Sequence, residues 1–323
     1  MNVLVAGGAG FIGSHLCESL LSDGHSVICL DNFYTGRREN VSGLTRQSSF
    51  ELIEHDLVRP LPRDWQVDAV FNLASPASPV GYLNKPIETA MVNSLGTYHL
   101  LKLALTHGAR FLQASTSEVY GDPLVHPQAE GYWGNVNPRG PRACYDEGKR
   151  FAEALTMDFH RVHGLDVRLV RIFNTYGPRS QADDGRVIPS FVCKALAGEP
   201  LPIYGDGQQT RSFCFVADLV RGLKAVMFGD GLAGEVFNLG NPGEFTLLEL
   251  ADLVRELSES TSELQFLPAR EDDPTRRRPD ISKVTSRLGW RPLVPLPEGL
   301  LRTIGWFKGE LSPLVGSFAP CFA

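Results

Sequence analysis

Short apolar runs alternate with longer amphipathic stretches through the first half of the chain. Each run has the length of a buried strand, and the stretches between them repeat apolar residues at helical spacing. The predicted strands are residues 3–6, 26–30, 50–54, 68–74, 110–114 and 167–172, and the predicted helices are residues 14–21, 86–106 and 141–163. Strands that alternate with helices predict a doubly wound parallel sheet, which makes the fold class α/β.

The first predicted strand runs into a glycine-rich turn that opens the first helix. Gly7, Gly10 and Gly13 differ by one residue in spacing from the GxGxxG pattern. Glycines at these positions permit a tight turn and let backbone N–H groups approach a pyrophosphate, while the N-terminus of the helix that the turn opens favours the anion. The turn therefore predicts a dinucleotide-binding site.

An acidic residue ends the second predicted strand. Asp31 stands eighteen positions after Gly13, where a carboxylate can bind both hydroxyls of an adenosine ribose. The same carboxylate repels a 2′-phosphate, which favours NAD over NADP. Arg37 and Arg38 lie close by in sequence and leave NADP open.

Polar residues follow the later predicted strands. Because ligands lie outside the carboxyl ends of parallel strands, we expect Asp56 and Leu57 at an adenine, and Ala74 and Ser75 at phosphates and ribose. A turn residue is the alternative interpretation of Asp56. Residues 115–118, Ser-Thr-Ser-Glu, follow the fifth strand and belong to the same rim of the sheet.

The helix predicted at 141–163 carries Tyr145 and Lys149. Positions four apart share a helix face, so the phenol and the ammonium point the same way. An adjacent positive charge lowers the pKa of a tyrosine from its ordinary value near ~10, which predicts an acid/base pair. The pair alone fits a surface helix as well. Cys144 is interpreted as a small side chain packed behind the tyrosine.

Composition excludes several classes of protein. The chain has 323 residues, 43% of them hydrophobic, so it can bury a sizeable core. Its net charge of −6 argues against a nucleic-acid or membrane-surface partner. The six cysteines are scattered without the close pairs of a zinc site, so no metal site is predicted. The absence of a basic leader and of a run of about twenty apolar residues predicts a cytoplasmic protein.

The sequence pattern changes beyond Asn174, where segments that contain glycine and proline separate shorter predicted helices and strands. We predict a dinucleotide-binding domain at 1–173, to which the chain returns around 213–238, and a smaller α/β substrate lobe formed mainly by 174–323. Between them in sequence, residues 121–142 form a long loop rich in proline and glycine. Such a loop is uncommon in a compact domain unless it covers a site.

The chain resembles the extended short-chain dehydrogenase/reductases, and within them the UDP-glucuronate decarboxylases, from residue 2 to about 309. The resemblance rests on residues 7–13, 31–33, 35–37, 75–79, 115–122, 144–149, 171–174, 204–207 and 277–280. It implies a Rossmann-like sheet and a homodimer formed through the helices 86–106 and 141–163. It also implies that NAD is bound by Gly7, Gly10, Phe11, Ile12, Gly13, Asp31, Asn32, Thr35, Gly36, Asp56, Leu57, Ala74, Ser75, Ser115, Tyr145 and Lys149.

The resemblance also assigns roles at the reacting sugar. Tyr145 matches the family's catalytic base, Lys149 its partner, and Thr116 the hydroxyl that binds the sugar 4-OH. Ser117 and Glu118 fall where 4,6-dehydratases have an Asp-Glu pair and 4-epimerases lack a glutamate, which favours a decarboxylase. UDP-glucuronate is then the implied substrate, bound by Asn174, Arg186, Tyr204, Arg211 and Arg277.

The implied reaction oxidises C4 of the sugar, loses carbon dioxide from the β-keto acid and reduces C4 again, giving UDP-xylose. A nucleotide-sugar 4-epimerase or 4,6-dehydratase is the alternative, and a non-catalytic dinucleotide sensor is a second one. Met91 and His99 depart from the family pattern, where a lysine and an asparagine are common. We expect them to alter contacts near the substrate.

Overall fold

A computed structural model describes residues 1–268 and 276–311. The strands are β1 (Asn2–Ala6), β2 (Ser26–Asp31), β3 (Phe50–Glu54), β4 (Ala69–Asn72), β5 (Arg110–Thr116), β6 (Val167–Ile172), β7 (Thr175–Tyr176), β8 (Leu201–Tyr204), β9 (Thr210–Ser212), β10 (Cys214–Phe215), β11 (Glu235–Leu239), β12 (Glu244–Thr246), β13 (Leu264–Leu267) and β14 (Arg276–Arg277). The helices are α1 (Phe11–Ser22), α2 (Pro79–Asn84), α3 (Pro86–Met91), α4 (Thr97–His107), α5 (Ala143–His163), α6 (Val187–Ala197), α7 (Val216–Phe228), α8 (Leu247–Ser258), α9 (Ser282–Leu288) and α10 (Leu296–Leu311).

The main sheet has the order β11-β6-β5-β4-β1-β2-β3, and every neighbouring pair is parallel. The chain winds in one direction from β1 to β3 and in the other from β4 outwards. The switch point between β1 and β4 opens a crevice at the carboxyl ends of the strands, which is where ligands bind in such sheets. The predicted doubly wound α/β fold is confirmed.

Alternate residues of β1 show why this sheet is covered on both faces. Val3 and Val5 belong to one hydrophobic cluster and Leu4 and Ala6 to another, and all four are fully buried. Successive side chains of a strand point to opposite faces, so a continuous apolar run requires a helical layer on each side. The two layers fix the sheet and hence the loops at its rim.

Two predicted boundaries at that rim shift in an informative way. β5 continues through Thr116, so Ser115 and Thr116 are held by strand pairing with β6 rather than by a loop. A 3₁₀ turn, Ser117–Tyr120, then carries Glu118. β4 ends at Asn72, which leaves Ala74 and Ser75 just beyond the strand.

The helix predicted at 86–106 is observed as one helical run that ends at His107. A π-helical segment, Val92–Gly96, lies inside this run between α3 and α4. Within it, the Asn93 amide donates to Thr89 O at 2.8 Å and to Ser75 Oγ at 2.9 Å. The irregular turn thereby aims a polar side chain at the loop after β4.

The later part of the chain forms small sheets, in the orders β12-β9-β14 and β13-β8. β11 lies in the main sheet beside β6, and α7 packs against α1. The proposed division into two domains stays a prediction, and residues 269–275 and 312–323 of the predicted second lobe lie outside the described residues.

Across residues 1–268 and 276–311, no helix combines the length and apolar character needed to cross a membrane. The same ranges contain no cluster of three His, Cys, Asp or Glu side chains that could bind a metal ion.

Candidate active site

One large cavity opens at the carboxyl ends of the central strands, with a volume of about 1120 Å³. It reaches from the glycine turn after β1 to Arg277 on β14. All of the predicted cofactor, catalytic and substrate residues line it except Gly36. The sequence therefore identified a set of residues that the fold brings to one place.

The glycine turn has room only for glycine. A Cβ atom on Gly13 would lie 2.1 Å from Gly7 O, and Gly7 itself has a φ of +75°. Gly10 caps α1 without a side-chain hydrogen bond. Phe11 and Ile12 line the cavity. The first N–H groups of a helix have no intrahelical acceptor, so those of Phe11 and Ile12 are available as donors for an anion.

Asp31 closes the turn from the side of β2. Its Oδ2 accepts from Ala9 N at 2.9 Å and its Oδ1 from Phe33 N at 2.8 Å. Burial raises the pKa of Asp31, and the backbone hydrogen bonds oppose that rise. A Cβ on Gly36 would lie 2.7 Å from Asp31 Oδ1, so Gly36 supports the carboxylate from behind instead of lining the cavity.

Asp56 and Leu57 line the cavity beside β3, together with Asn32 and Thr35 from the loop after β2. His99 lies behind this end, where its Nδ1 is 2.8 Å from Leu57 O. Met91 is 39% exposed on α3. Neither departing residue lines the cavity wall, and their effect on substrate contacts stays a prediction.

Tyr145 lies on α5 with its ring 5% exposed. Its phenol hydrogen-bonds the side chain of Thr116, the last residue of β5. The Tyr82 ring stacks on the Tyr145 ring with centroids 5.1 Å apart and planes at 7°. A hydroxyl partner and a stacked ring fix the phenol in both direction and plane.

Lys149 follows one turn later and is buried. Its Nζ donates to Ala114 O at 2.9 Å and lies 5.9 Å from the centre of the Tyr145 ring. Burial lowers the pKa of Lys149 to about 7, and the charge of Glu153 opposes that change.

The expectation that Lys149 lowers the pKa of Tyr145 is wrong for this chain by itself. Burial raises the pKa of Tyr145 to about 12, more than the hydrogen bond from Thr116 lowers it. The physical reason is that the low dielectric around the pair penalises both charged forms. The lysine loses much of the charge that was expected to stabilise the phenolate.

Glu118 lies at the centre of a cluster of charged side chains in the cavity wall. It accepts hydrogen bonds from Arg142 on the loop before α5 and from Arg277 on β14, including Arg277 Nη2 at 2.9 Å. Burial would raise the pKa of Glu118, but the charges of Arg277, Arg142 and Arg211 outweigh it and hold that pKa below its ordinary value. Glu118 is therefore ionised at neutral pH. Ser117 is buried beside it.

The remaining predicted residues line the far side of the cavity. Asn174 Nδ2 donates to Ser212 O at 3.4 Å, and Arg186 Nη2 donates to Ala77 O at 3.0 Å. Tyr204 O accepts from Gln209 Nε2 at 2.6 Å. Arg211 is 7% exposed. Arg277 Nε is buried without a hydrogen-bond partner within the described part of the chain, and Arg277 lines the cavity.

Arg142, Tyr82 and Asn93 were not predicted from the sequence. The sequence pattern places Arg142 at the end of the loop 121–142, and the structure pairs it with Glu118 at the site. Its position three residues before Tyr145 is a usable signal, because one helical turn places the two on neighbouring rows. Tyr82 contacts Tyr145, and Asn93 contacts Ser75. Both contacts join residues far apart in sequence, so no local pattern predicts them.

Comparison with known proteins identifies the relationship that this geometry suggests. The sequence profile of the NAD dependent epimerase/dehydratase family matches residues 3–240. The chain belongs to this family. The resemblance to extended short-chain dehydrogenase/reductases is thereby confirmed.

Individual members are similar over nearly the whole chain. UDP-glucuronic acid decarboxylase 1 of Arabidopsis thaliana is 53% identical over 311 residues, which are 96% of this chain and 71% of that protein. A dTDP-glucose 4,6-dehydratase from Streptomyces venezuelae, solved with NAD, is 32% identical with a TM-score of 0.88 over 97% of this chain and all of that one. UDP-glucuronic acid 4-epimerase from Bacillus cereus, solved with UDP-glucuronic acid and NAD, is 28% identical with a TM-score of 0.86 over 96% and 100% of the two chains.

The residues of this epimerase/dehydratase family member fit NAD. The turn at Gly7–Gly13 leaves no space for a Cβ where a pyrophosphate approaches, and α1 begins there without a capping side chain. Asp31 adds a buried carboxylate at the end of β2, the strand next to β1. NAD is the cofactor of the family, and the predicted cofactor is confirmed.

Proposed function

We propose that the chain is a UDP-glucuronate decarboxylase that produces UDP-xylose. The decisive observation is 52–56% identity to UDP-glucuronic acid decarboxylases from plants and vertebrates, over 93–96% of this chain. The site supports it, because a carboxylate substrate needs cationic partners. Arg277 and Arg142 meet at Glu118 in the cavity that also holds Tyr145.

The cofactor assignment uses the residues around the glycine turn. The N–H groups at Phe11, Ile12 and Gly13 suit the pyrophosphate, and Asp31 suits the adenosine ribose. Asn32, Thr35, Asp56, Leu57, Ala74, Ser75 and Ser115 complete the proposed groove. When bound, NAD supplies a hydride acceptor and donor for C4 of the sugar and, in its oxidised form, a positive ring charge.

Tyr145 and Thr116 act at the sugar 4-OH. A positive charge next to the phenol lowers its pKa, which opposes the rise that burial causes. We therefore propose that Tyr145 becomes a base only in the complex, where it takes the 4-OH proton while Thr116 holds that oxygen in place. Lys149, whose pKa burial lowers to about 7, can gain or lose a proton near neutral pH behind the phenol.

A ketone at C4 makes the C6 carboxylate a β-keto acid. Loss of carbon dioxide then leaves an enolate, whose oxygen Tyr145 and Thr116 stabilise as hydrogen-bond donors. A preorganised donor of this kind lowers the barrier by ~3 kcal/mol. The carbanion at C5 takes one proton, so that the C5–C6 bond is replaced by C5–H.

Arg277, which lines the cavity, is the proposed partner of the substrate carboxylate or pyrophosphate. Glu118, held ionised by the arginines, is proposed to orient a proton-delivering water at C5. Arg211 and Arg186 suit the diphosphate because a planar guanidinium binds phosphate oxygens in pairs. Asn174 and Tyr204 are proposed to position sugar and uridine.

A 4-epimerase or 4,6-dehydratase remains the rival, because structures of both kinds share this fold at TM-scores of 0.86–0.88. Such enzymes share NAD and the Tyr145 chemistry. A non-catalytic sensor is a weaker rival, since it has no need for Tyr145, Thr116 and Lys149 in contact.

Mass analysis of the nucleotide sugar after incubation with UDP-glucuronate and NAD tests the proposal. A decarboxylase converts the substrate to UDP-xylose with loss of carbon dioxide. An epimerase leaves the mass unchanged, and either that result or loss of water alone would refute the proposal.

Replacement of the base tests the residue assignment. We expect Tyr145→Phe to lower carbon dioxide release by about 10³-fold while NAD stays bound, because general base catalysis is lost and the ring remains. Tyr98→Phe, on an exposed face of α4, is the matched control. Carbon dioxide release by the Tyr145 variant at the parent rate would show that the assignment is wrong.

We also propose a homodimer formed through α3, α4 and α5. These helices pack against each other and expose large apolar side chains to the outside, with Ile87 at 75%, Phe151 at 52% and Tyr98 at 40%. Apolar residues grouped on one helical layer are typical of a contact between subunits.

A further inference from the structure

A buried ion pair lies beneath the proposed site and touches neither proposed ligand. Glu153 follows Lys149 by four residues, so Tyr145, Lys149 and Glu153 share one face of α5. Its Oε1 accepts from Arg171 Nε at 2.9 Å, and its Oε2 accepts from Arg171 Nη2 at 2.7 Å. The two side chains are 12% and 13% exposed. A bidentate pair in this setting holds a fixed geometry.

The pair connects to the strand that carries the catalytic hydroxyls. Ser115 Oγ donates to Glu153 Oε1 at 2.6 Å. Ser115 is also the register partner of Arg171 across β5 and β6. Glu153 thereby links α5 to β5 one residue before Thr116.

The guanidinium of Arg171 extends the connection to the turn that bears Glu118. Arg171 Nη1 donates to Tyr120 OH at 3.0 Å and to Glu130 O at 2.9 Å. Tyr120 OH donates to Asn238 Oδ1 at 2.8 Å. Tyr120 is the last residue of the Ser117–Tyr120 turn, so its hydroxyl anchors that turn from below.

From Asn238 the network reaches the strand of Arg277. Asn238 Nδ2 donates to Gln128 O at 3.0 Å, and Gln128 Oε1 accepts from the backbone N–H of Arg278 at 2.9 Å. One chain of buried contacts therefore runs from the Tyr145 helix through the Glu118 turn to the neighbour of Arg277.

We infer that Glu153 and Arg171 are positioning residues that hold the Glu118–Arg277 half of the site in register with the Tyr145–Thr116 half. This inference rests on the proposed function, because that reaction needs both halves in turn. The ketone must stay beside Tyr145 and Thr116 while the carboxylate leaves near Arg277, so that hydride can return to C4. When the halves are out of register, the 4-keto pentose escapes before it is reduced.

Escape of the ketone has a defined electron balance. Oxidation at C4 moves two electrons to the cofactor, and release before reduction leaves them there as NADH. Each released 4-keto pentose is thus matched by one NADH, and both can be counted. A fall in stability alone changes neither the ratio of products nor this match.

The test compares three variants of the whole chain with UDP-glucuronate and NAD. Glu153→Gln keeps the shape of the side chain and removes its charge. Tyr120→Phe removes only the hydroxyl between Arg171 and Asn238, and it serves if the first variant does not fold. Asp166→Asn is the matched control. Asp166 lies just before β6 and pairs at 2.8 Å with Arg168, which is on the same strand as Arg171 but at the end away from the cavity.

We expect Glu153→Gln to lower kcat by about 100-fold and Tyr120→Phe by about tenfold, with KM within about threefold, since small misplacements are costly for oriented reactants. Both variants should release 4-keto pentose and NADH in equal amounts and in a larger share than the parent. Asp166→Asn should lower Tm and leave kcat and the product ratio unchanged.

The outcomes separate the two claims. If the parent makes UDP-xylose and both variants keep its kcat and product ratio, the positioning role is refuted and the proposed function stands. An equal change in the Asp166 variant refutes it as well. A parent that releases no carbon dioxide refutes the proposed function and this inference together.

Discussion

Tyr145 and Lys149 show what a residue pattern can and cannot predict. Their spacing predicted correctly that both would share a helix face and line the cavity. It did not predict that burial would raise the pKa of Tyr145 to about 12 and lower that of Lys149 to about 7. Charge stabilisation depends on the dielectric around a group, and the dielectric is a property of the fold.

Asp146, next to Tyr145, gives a test of the same effect. Burial raises its pKa from near 3.8 to about 7, with the charge of Glu118 acting in the same direction, and its Oδ1 is buried without a hydrogen-bond partner in the described ranges. Between about pH 4 and pH 7 the folded chain keeps a proton that the unfolded chain has lost. The contribution of Asp146 to the free energy of unfolding therefore falls as pH rises through that window.

We expect Asp146→Asn to remove this loss. Relative to the parent, the variant should gain about 3 kcal/mol of unfolding free energy at pH 8 compared with pH 4.5, because one unit of pKa corresponds to ~1.4 kcal/mol. Urea denaturation at both pH values measures it. Asp158→Asn, whose carboxylate is exposed on the same helix, should show no such difference. Parallel pH profiles for the parent and the Asp146 variant would contradict the assignment.

At the scale of elements, the strand–turn–helix unit β1–α1 was predictable because its requirements are local. Three glycines permit the turn, and apolar spacing continues into the helix. The π-helical segment Val92–Gly96 was not predictable, because Asn93 contacts Ser75 from another loop. A Cβ added at Gly148 of α5 would lie 3.3 Å from the Asn93 Cβ, which is a contact between two helices far apart in sequence.

The glycine turn supports a direct prediction. Gly13→Ala places a Cβ 2.1 Å from Gly7 O, so the turn must shift and its N–H groups must leave their directions. We expect NAD affinity to fall at least about tenfold, as measured by titration calorimetry. Gly43→Ala, where an added Cβ meets nothing within 4 Å, is the control. Unchanged affinity in a folded Gly13 variant would show that NAD is not bound at this turn.

At the scale of the whole molecule, the sequence predicted the sheet and the crevice at its switch point but not the contacts that cross it. Glu118 meets Arg277 across 159 positions of chain. The spacing of hydrophobic residues carries no information on such pairs. They depend on where the small sheet β12-β9-β14 lies relative to the main sheet. Resemblance to a family supplied Arg277, and the structure supplied its partners.

The proposed dimer belongs to this scale. We expect Phe151→Glu on α5 to convert the dimer to a monomer, because a carboxylate buried at an apolar contact loses its hydration. Light scattering coupled to size-exclusion chromatography measures the mass. Leu301→Glu on α10 changes an equally exposed leucine on another surface and should leave the mass unchanged. A dimeric Phe151 variant would place the contact elsewhere.

The long separation between Glu118 and Arg277 has a consequence for synthesis on the ribosome. Domains generally begin to fold from the N-terminal side as they emerge. A nascent chain that has passed β6 holds the glycine turn, Tyr145 and Lys149, but Glu118 still lacks its second arginine. The growing polypeptide gains its dinucleotide groove early, and we expect it to be unable to split off carbon dioxide until Arg277 has been synthesised and has paired with Glu118.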